Sequence, residues 1–138
     1  MRILITGGAG FIGSNLVKYA LKSRKDVHIT VLDVLTYAGN LENLDGVLDR
    51  VEFIHGDITD FETCRKAVAN VDAVIHLAAE THNDNSLRDP KRFLDTNIMG
   101  TFYLAQACLE FDKRLHHVST DEVFGDLSFH DSASTESS

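Results

Sequence analysis

The chain has 138 residues, with 13 basic side chains against 21 acidic ones and a net charge of −8. That length predicts a single domain that buries roughly two-thirds of its unfolded surface without disulfide or metal staples. The acidic balance argues against a nucleic-acid partner, no run approaches the ~20 apolar residues of a membrane span, and Met1-Arg2-Ile3 lacks a signal-peptide pattern.

Apolar runs and helical patterns alternate along the chain. Ile3-Leu4-Ile5, closed by Gly7-Gly8, reads as a buried strand, and Phe11 to Lys25 carries one apolar helical face at 12, 16, 17, 20 and 21. Lys22, Arg24 and Lys25 then suit the negative end of that helix. Val27 to Leu32 is a second strand. Leu35 to Leu48, broken by Gly39, Asn40 and Gly46, reads as a loop with a short helix. Val51 to Ile54 is a third strand, and Asp60 is the predicted N-cap of a helix running to Ala69. Ala73 to Leu77 is a fourth strand, uniformly apolar as in a parallel sheet covered on both faces. Pro90 suits the first turn of a long helix to about Glu110, and Leu115 to Ser119 is a fifth strand. This order predicts an α/β fold, a Rossmann-type doubly wound parallel sheet, over residues 1–127. The polar remainder, 128–138, has no helical or strand period and reads as a surface tail or as the point where a longer protein continues. Cys64 and Cys108 lie far apart in helical patterns and read as reduced core thiols, which suits a cytoplasmic location.

The turn Gly7-Gly8-Ala9-Gly10-Phe11-Ile12-Gly13 joins the first strand to the first helix. Glycines at 7, 10 and 13 allow a sharp turn and close approach of a pyrophosphate to the N–H groups at the helix start. Asp33 follows the second strand, twenty residues after Gly13, where a carboxylate can accept both hydroxyls of an adenosine ribose. Val34 and Leu35 follow it rather than a cation, so NAD is favoured over NADP. Asp57 and Ile58 follow the third strand, and Asp57 suits either an adenine amino group or the start of the next helix. Ala78-Ala79-Glu80-Thr81 follows the fourth strand, its small residues permitting close approach of a cofactor. Thr120-Asp121-Glu122 follows the fifth. Two carboxyls there can divide into general acid and general base if the backbone leaves the strand, or they form a plain solvated turn. The seven histidines include no metal-ligand spacing, and adjacent His116 and His117 point apart, so no metal site is expected.

Thr6-Gly7-Gly8-Ala9-Gly10-Phe11-Ile12-Gly13 resembles the nucleotide fingerprint of extended short-chain dehydrogenases/reductases. Leu35 to Leu41, His76 to Glu80, Thr96-Asn97 and His117 to Val123 narrow the likeness to the dTDP-glucose 4,6-dehydratase family, from Met1 to about Leu127. Thr120-Asp121-Glu122 is the specific part. Epimerases of the superfamily generally lack the acidic pair, and GDP-mannose dehydratases usually carry Ser where Asp121 stands. The resemblance implies NAD as cofactor, dTDP-glucose as substrate and a homodimeric full-length enzyme. It implies an internal redox cycle: oxidation at C4 of the sugar, loss of water across C5–C6, and return of the hydride to C6. It assigns catalysis to Glu122 (C5 proton), Asp121 (departing C6 hydroxyl) and Thr120 (C4 oxygen). Phe11, Ile12, Asp33, Thr36, Asp57, Ile58, Leu77, Ala78, Ala79, Glu80, Thr81 and Thr96 would line the NAD, with Thr81 also near the sugar.

Four positions depart from the family pattern. Val34 replaces the usual Lys, Asn83 and Asn85 replace Val and Arg, and Phe124 replaces Tyr. The superfamily's Tyr-x-x-x-Lys pair is absent: Tyr19, Tyr37 and Tyr103 are followed four residues on by Ser23, Leu41 and Ala107. These residues therefore match the N-terminal, cofactor-holding part of such an enzyme. Another nucleotide-sugar dehydratase or epimerase, a non-catalytic dinucleotide-binding module and a plain structural α/β domain are the alternative readings.

Overall fold

The computed structural model describes residues 1–135 and 137; the end of the 128–138 tail, Glu136 and Ser138, lies outside the described residues. Five parallel strands form one sheet in the order β3-β2-β1-β4-β5. They are β1 (Arg2–Thr6), β2 (His28–Asp33), β3 (Val51–His55), β4 (Ala73–His76) and β5 (Arg114–His117). The apolar runs of β1, β2 and β4 are continuous because successive side chains feed two different cores. Leu4, Leu32 and Val74 pack on one face against Cys64, Val68, Leu104 and Cys108. Ile5, Ile29 and Val31 pack on the other against Val17, Leu21 and Leu44. The first set of partners comes from α2 (Phe61–Ala69) and a later helix, the second from α1 (Phe11–Ser23) and, for Leu44, the loop after β2. The two cysteines are free and buried, as the sequence predicts. Burial pushes the Cys64 thiol up to about 12 and the Cys108 thiol up to about 11, so both stay protonated.

Register decides what happens at the upper edge of the sheet. Thr6 pairs with Leu32 on one side and with His76 on the other, so β1, β2 and β4 end level with one another. The turn after β1, Asp33 and the segment after β4 thereby become neighbours. This is the point where the connections turn to opposite sides of the sheet.

The second half differs from the sequence expectation in detail. A short helix, α3 (Asn83–Arg88), precedes α4 (Pro90–Phe93), which Asp89 caps by accepting from Arg92 N–H at 3.4 Å. The long helix then continues as seven residues of π-helix, Leu94–Gly100, before α5 (Thr101–Glu110). Apolar periodicity does not report hydrogen-bond register, so the wide turn is invisible in sequence. The loop after β2 holds two 3-10 turns, Leu41–Leu44 and Leu48–Arg50, rather than one short helix. β5 stops at His117, two residues early: Val118 N–H still bonds His76 carbonyl at 3.1 Å, and the chain then departs.

Candidate functional site

A cleft of about 590 Å³ opens over the level ends of β1, β2 and β4. Its walls are the glycine turn, the loop after β2, the start of the segment after β3, the segment after β4, and the front of the long helix. Gly7, Gly10, Phe11, Ile12, Gly13, Asp33, Thr36, Asp57, Ile58, Leu77, Ala78, Ala79, Glu80, Thr81 and Thr96 all line it. Each of the fifteen expected cofactor positions is thus brought to one cavity.

The glycine turn is built by close approach. Gly7 has φ +68°, and a Cβ there would lie 2.8 Å from Ala78 N. A Cβ on Gly13 would lie 2.2 Å from the Gly7 carbonyl oxygen, so no side chain fits between turn and helix. Gly10 caps α1 without a side-chain bond, and the first turn carries no acid. The N–H groups at the start of this 13-residue helix are therefore open to an anion.

Asp33 has a structural duty alongside the expected one. Its Oδ2 accepts from Ala9 N–H at 2.9 Å, and its Oδ1 accepts from Leu35 N–H at 2.8 Å. The carboxylate thus latches the glycine turn to the β2 loop and holds Leu35 at φ +55°. Each oxygen retains a second lone pair for a ligand hydroxyl. Asp57 is not the cap of α2. It accepts from Thr59 N–H at 2.9 Å in the turn before the helix, while Asp60 caps by accepting from Glu62 N–H at 3.1 Å.

Beneath the segment after β4 lies a buried relay. Thr6 Oγ1 accepts from Leu77 N–H at 3.2 Å and Ala78 N–H at 3.3 Å, and lies 2.7 Å from His76 Nδ1. With both lone pairs engaged, the hydroxyl proton points at Nδ1, which must be unprotonated. Nε2–H then donates to Thr101 Oγ1 at 3.0 Å. Burial, with the stacked His117 ring 5.0 Å away, pulls the His76 pKa down to about 4. The imidazole is neutral, in one defined tautomer.

The π-helix supplies a second anchor. Asn97 Oδ1 accepts from Glu80 N–H at 2.8 Å, and its Nδ2 donates to Glu80 carbonyl at 2.9 Å. Lys91, Arg92, Asp89 and Asp95 also line the cleft, and sequence reasoning missed them. Pro90 marked the start of that helix, but nothing local could reveal that its first turns would dock on the sheet edge. Thr120, Asp121 and Glu122 stand elsewhere. The chain leaves the sheet as the acidic pair requires, in a 3-10 turn over Asp121–Phe124 that Thr120 caps by accepting from Glu122 N–H at 3.3 Å. All three are exposed and lie outside the residues lining the cleft.

A level sheet edge, a glycine turn opening a helix and an acid at the end of β2 define a Rossmann-type fold of the extended short-chain dehydrogenase/reductase kind. The family model described as GDP-mannose 4,6 dehydratase matches residues 4–138, and the chain belongs to that family. It is 55% identical over 127 residues to a dTDP-glucose 4,6-dehydratase of Mycolicibacterium smegmatis, covering 92% of this chain and 38% of the relative. DesIV, a dTDP-glucose 4,6-dehydratase of Streptomyces venezuelae crystallised with NAD and TYD, superposes with a TM-score of 0.87 at 45% identity, over 98% of this chain and 43% of that one. A UDP-glucose 4-epimerase of Thermotoga maritima with UDP-glucose is more distant, with a TM-score of 0.78 at 32% identity over 87% of this chain and 38% of the other. The chain spans about two-fifths of the length of the curated relatives it matches.

Proposed function

We propose that this chain is the NAD-holding N-terminal part of a dTDP-glucose 4,6-dehydratase, a hydro-lyase. The observation that carries the reading is the single cleft over level strand ends, lined by all fifteen residues assigned to the cofactor. The cradle fits a dinucleotide. The open start of α1 receives the pyrophosphate, and the spare lone pairs of Asp33 receive the adenosine ribose hydroxyls. Val34, rather than a cation, beside that carboxylate favours NAD over NADP. Bound NAD supplies the chemistry of hydride removal from the sugar's C4 and its return at C6.

The chain's own groups do the rest. Glu122 removes the C5 proton, Asp121 protonates the departing C6 hydroxyl as water, and Thr120 donates a hydrogen bond near the C4 oxygen. Thr81, on the cleft wall, contacts the sugar. The base that takes the C4 hydroxyl proton is the Tyr of Tyr-x-x-x-Lys, absent from these residues, so this chain alone binds cofactor without turnover. Residues 1–127 form the folded unit, and 128–138 are a polar tail. The enzyme works in the cytoplasm as a homodimer. Support for the dimer comes from Leu94, Ile98 and Phe102, all exposed along the long helix.

Other nucleotide-sugar dehydratases and epimerases remain second readings, and the epimerase likeness supports them. The acidic pair favours a dehydratase, and Asp121 favours the dTDP branch over the GDP-mannose one. Calorimetry with NAD and NADP tests the cofactor half, NAD binding tighter. Mass spectrometry of dTDP-glucose tests the reaction. We expect no product from this chain alone, and loss of one water from a form extended through Tyr-x-x-x-Lys. Water loss that survives Glu122→Gln would overturn the assignment.

A further inference from the structure

This inference rests on the NAD reading and concerns how the cleft keeps its occupant. Lys91 and Arg92 are the cations lining the cleft among the described residues, against five carboxylates. Lys91 is satisfied within its own helix by Asp95. Arg92 instead joins different parts of the chain. Its Nε lies 2.8 Å from Glu80 Oε1, with the Glu80 side chain 6% exposed and the arginine 44% exposed. Glu80 is a fixed anchor, because Asn97 holds both its N–H and its carbonyl. The guanidinium also lies over the Tyr37 ring, 5.9 Å from its centre, and Tyr37 meets the His82 ring at 6.2 Å.

Tyr37 belongs to the loop after β2, whereas Glu80, His82 and Arg92 all follow β4. β1 runs between those two strands. Contact between the two loops therefore passes beyond the end of β1, where the glycine turn stands. We propose that Arg92 is a cofactor-retaining residue: it straps the β4-side wall to the Tyr37 loop and slows release of a bound dinucleotide. It also cancels the buried Glu80 charge, which would otherwise repel a pyrophosphate from a poorly screened position. A guanidinium can pair and stack at once; an ammonium in its place keeps the charge and loses the stacked plane.

The test is the release rate of NAD from the loaded protein, followed by chasing with unlabelled NAD, beside the melting temperature without NAD. Tyr37→Leu should release NAD about three- to tenfold faster, and Arg92→Met about tenfold faster or more, with NAD-free melting of the Tyr37 variant unchanged. Arg92→Lys should fall between wild type and Arg92→Met. If Arg92→Met does not fold, Tyr37→Leu still decides, since that side chain is 56% exposed. Wild-type release rates in both Tyr37→Leu and Arg92→Lys would overturn the strap and leave the NAD reading standing. A wild-type protein that takes up no NAD would instead remove the NAD reading, and the strap with it.

Discussion

His76 shows how one side chain ties the sheet to the cleft. It is held neutral because Thr6 has spent its lone pairs on Leu77 and Ala78 and can offer only a proton. The pH consequence has a definite sign. The folded pKa is about 4, against an ordinary value of 6.5. Above pH 6.5 the ring is neutral in both states; between 6.5 and 4 only the unfolded chain takes up the proton. Stability is thus complete above that window and declines as pH falls through it, by up to about 3 kcal/mol. Urea melts of wild type and His76→Gln between pH 7 and 4.5 should converge as pH falls. Parallel curves would reject this account. Asp33→Asn makes a separate test. The amide turns one acceptor into a donor facing a backbone N–H, so the variant should lose about 2–3 kcal/mol and bind NAD more weakly. Chemical melts and calorimetry read the two effects.

At the scale of elements, the long helix does more than cover the sheet. Its π segment presents Thr96 to the cleft and Asn97 to the Glu80 backbone within adjacent positions. Gly100 completes the arrangement, because a Cβ there would lie 2.7 Å from the Ile58 side chain. The helix can approach the segment after β3 only with a hydrogen at that point. Asn97→Leu keeps the volume but strands two backbone groups, at a cost of about 2–4 kcal/mol. Hydrogen exchange should show it locally, as lost protection of the Glu80 amide. Gly100→Val should cost about 1–3 kcal/mol by overpacking, read from a thermal melt.

For the whole molecule, ligand and partner are linked to stability. NAD at a hundred times its dissociation constant should add about 2.7 kcal/mol, seen as a rise in melting temperature that NADP matches only at much higher concentration. The dimer proposed through the long helix predicts that Phe102→Glu, at a 51% exposed position, yields a monomer by light scattering with an intact melt. A dimer that survives the charge would move the interface elsewhere.

The glycine turn, Asp33 and the alternation of apolar strands with helical stripes made the fold and the cofactor wall legible, because each is local. Spacing of three residues sets the turn, and a two-faced burial demand writes itself into β1, β2 and β4. Nothing local announced that Arg92 would reach Tyr37. Nor did periodicity distinguish α-helix from π-helix between Leu94 and Gly100, where Gly100 is buried but the apolar Leu94, Ile98 and Met99 are exposed. Those outcomes depend on strand register and on which loops the level ends of β1, β2 and β4 bring together. The sequence by itself determined the layers, the order of the strands along the chain and the residues that gather at the cleft. The tertiary structure decided the tautomer of His76, the anchoring of Glu80 and the ion pair over the cleft, because each depends on distances between groups that meet only when the chain is folded.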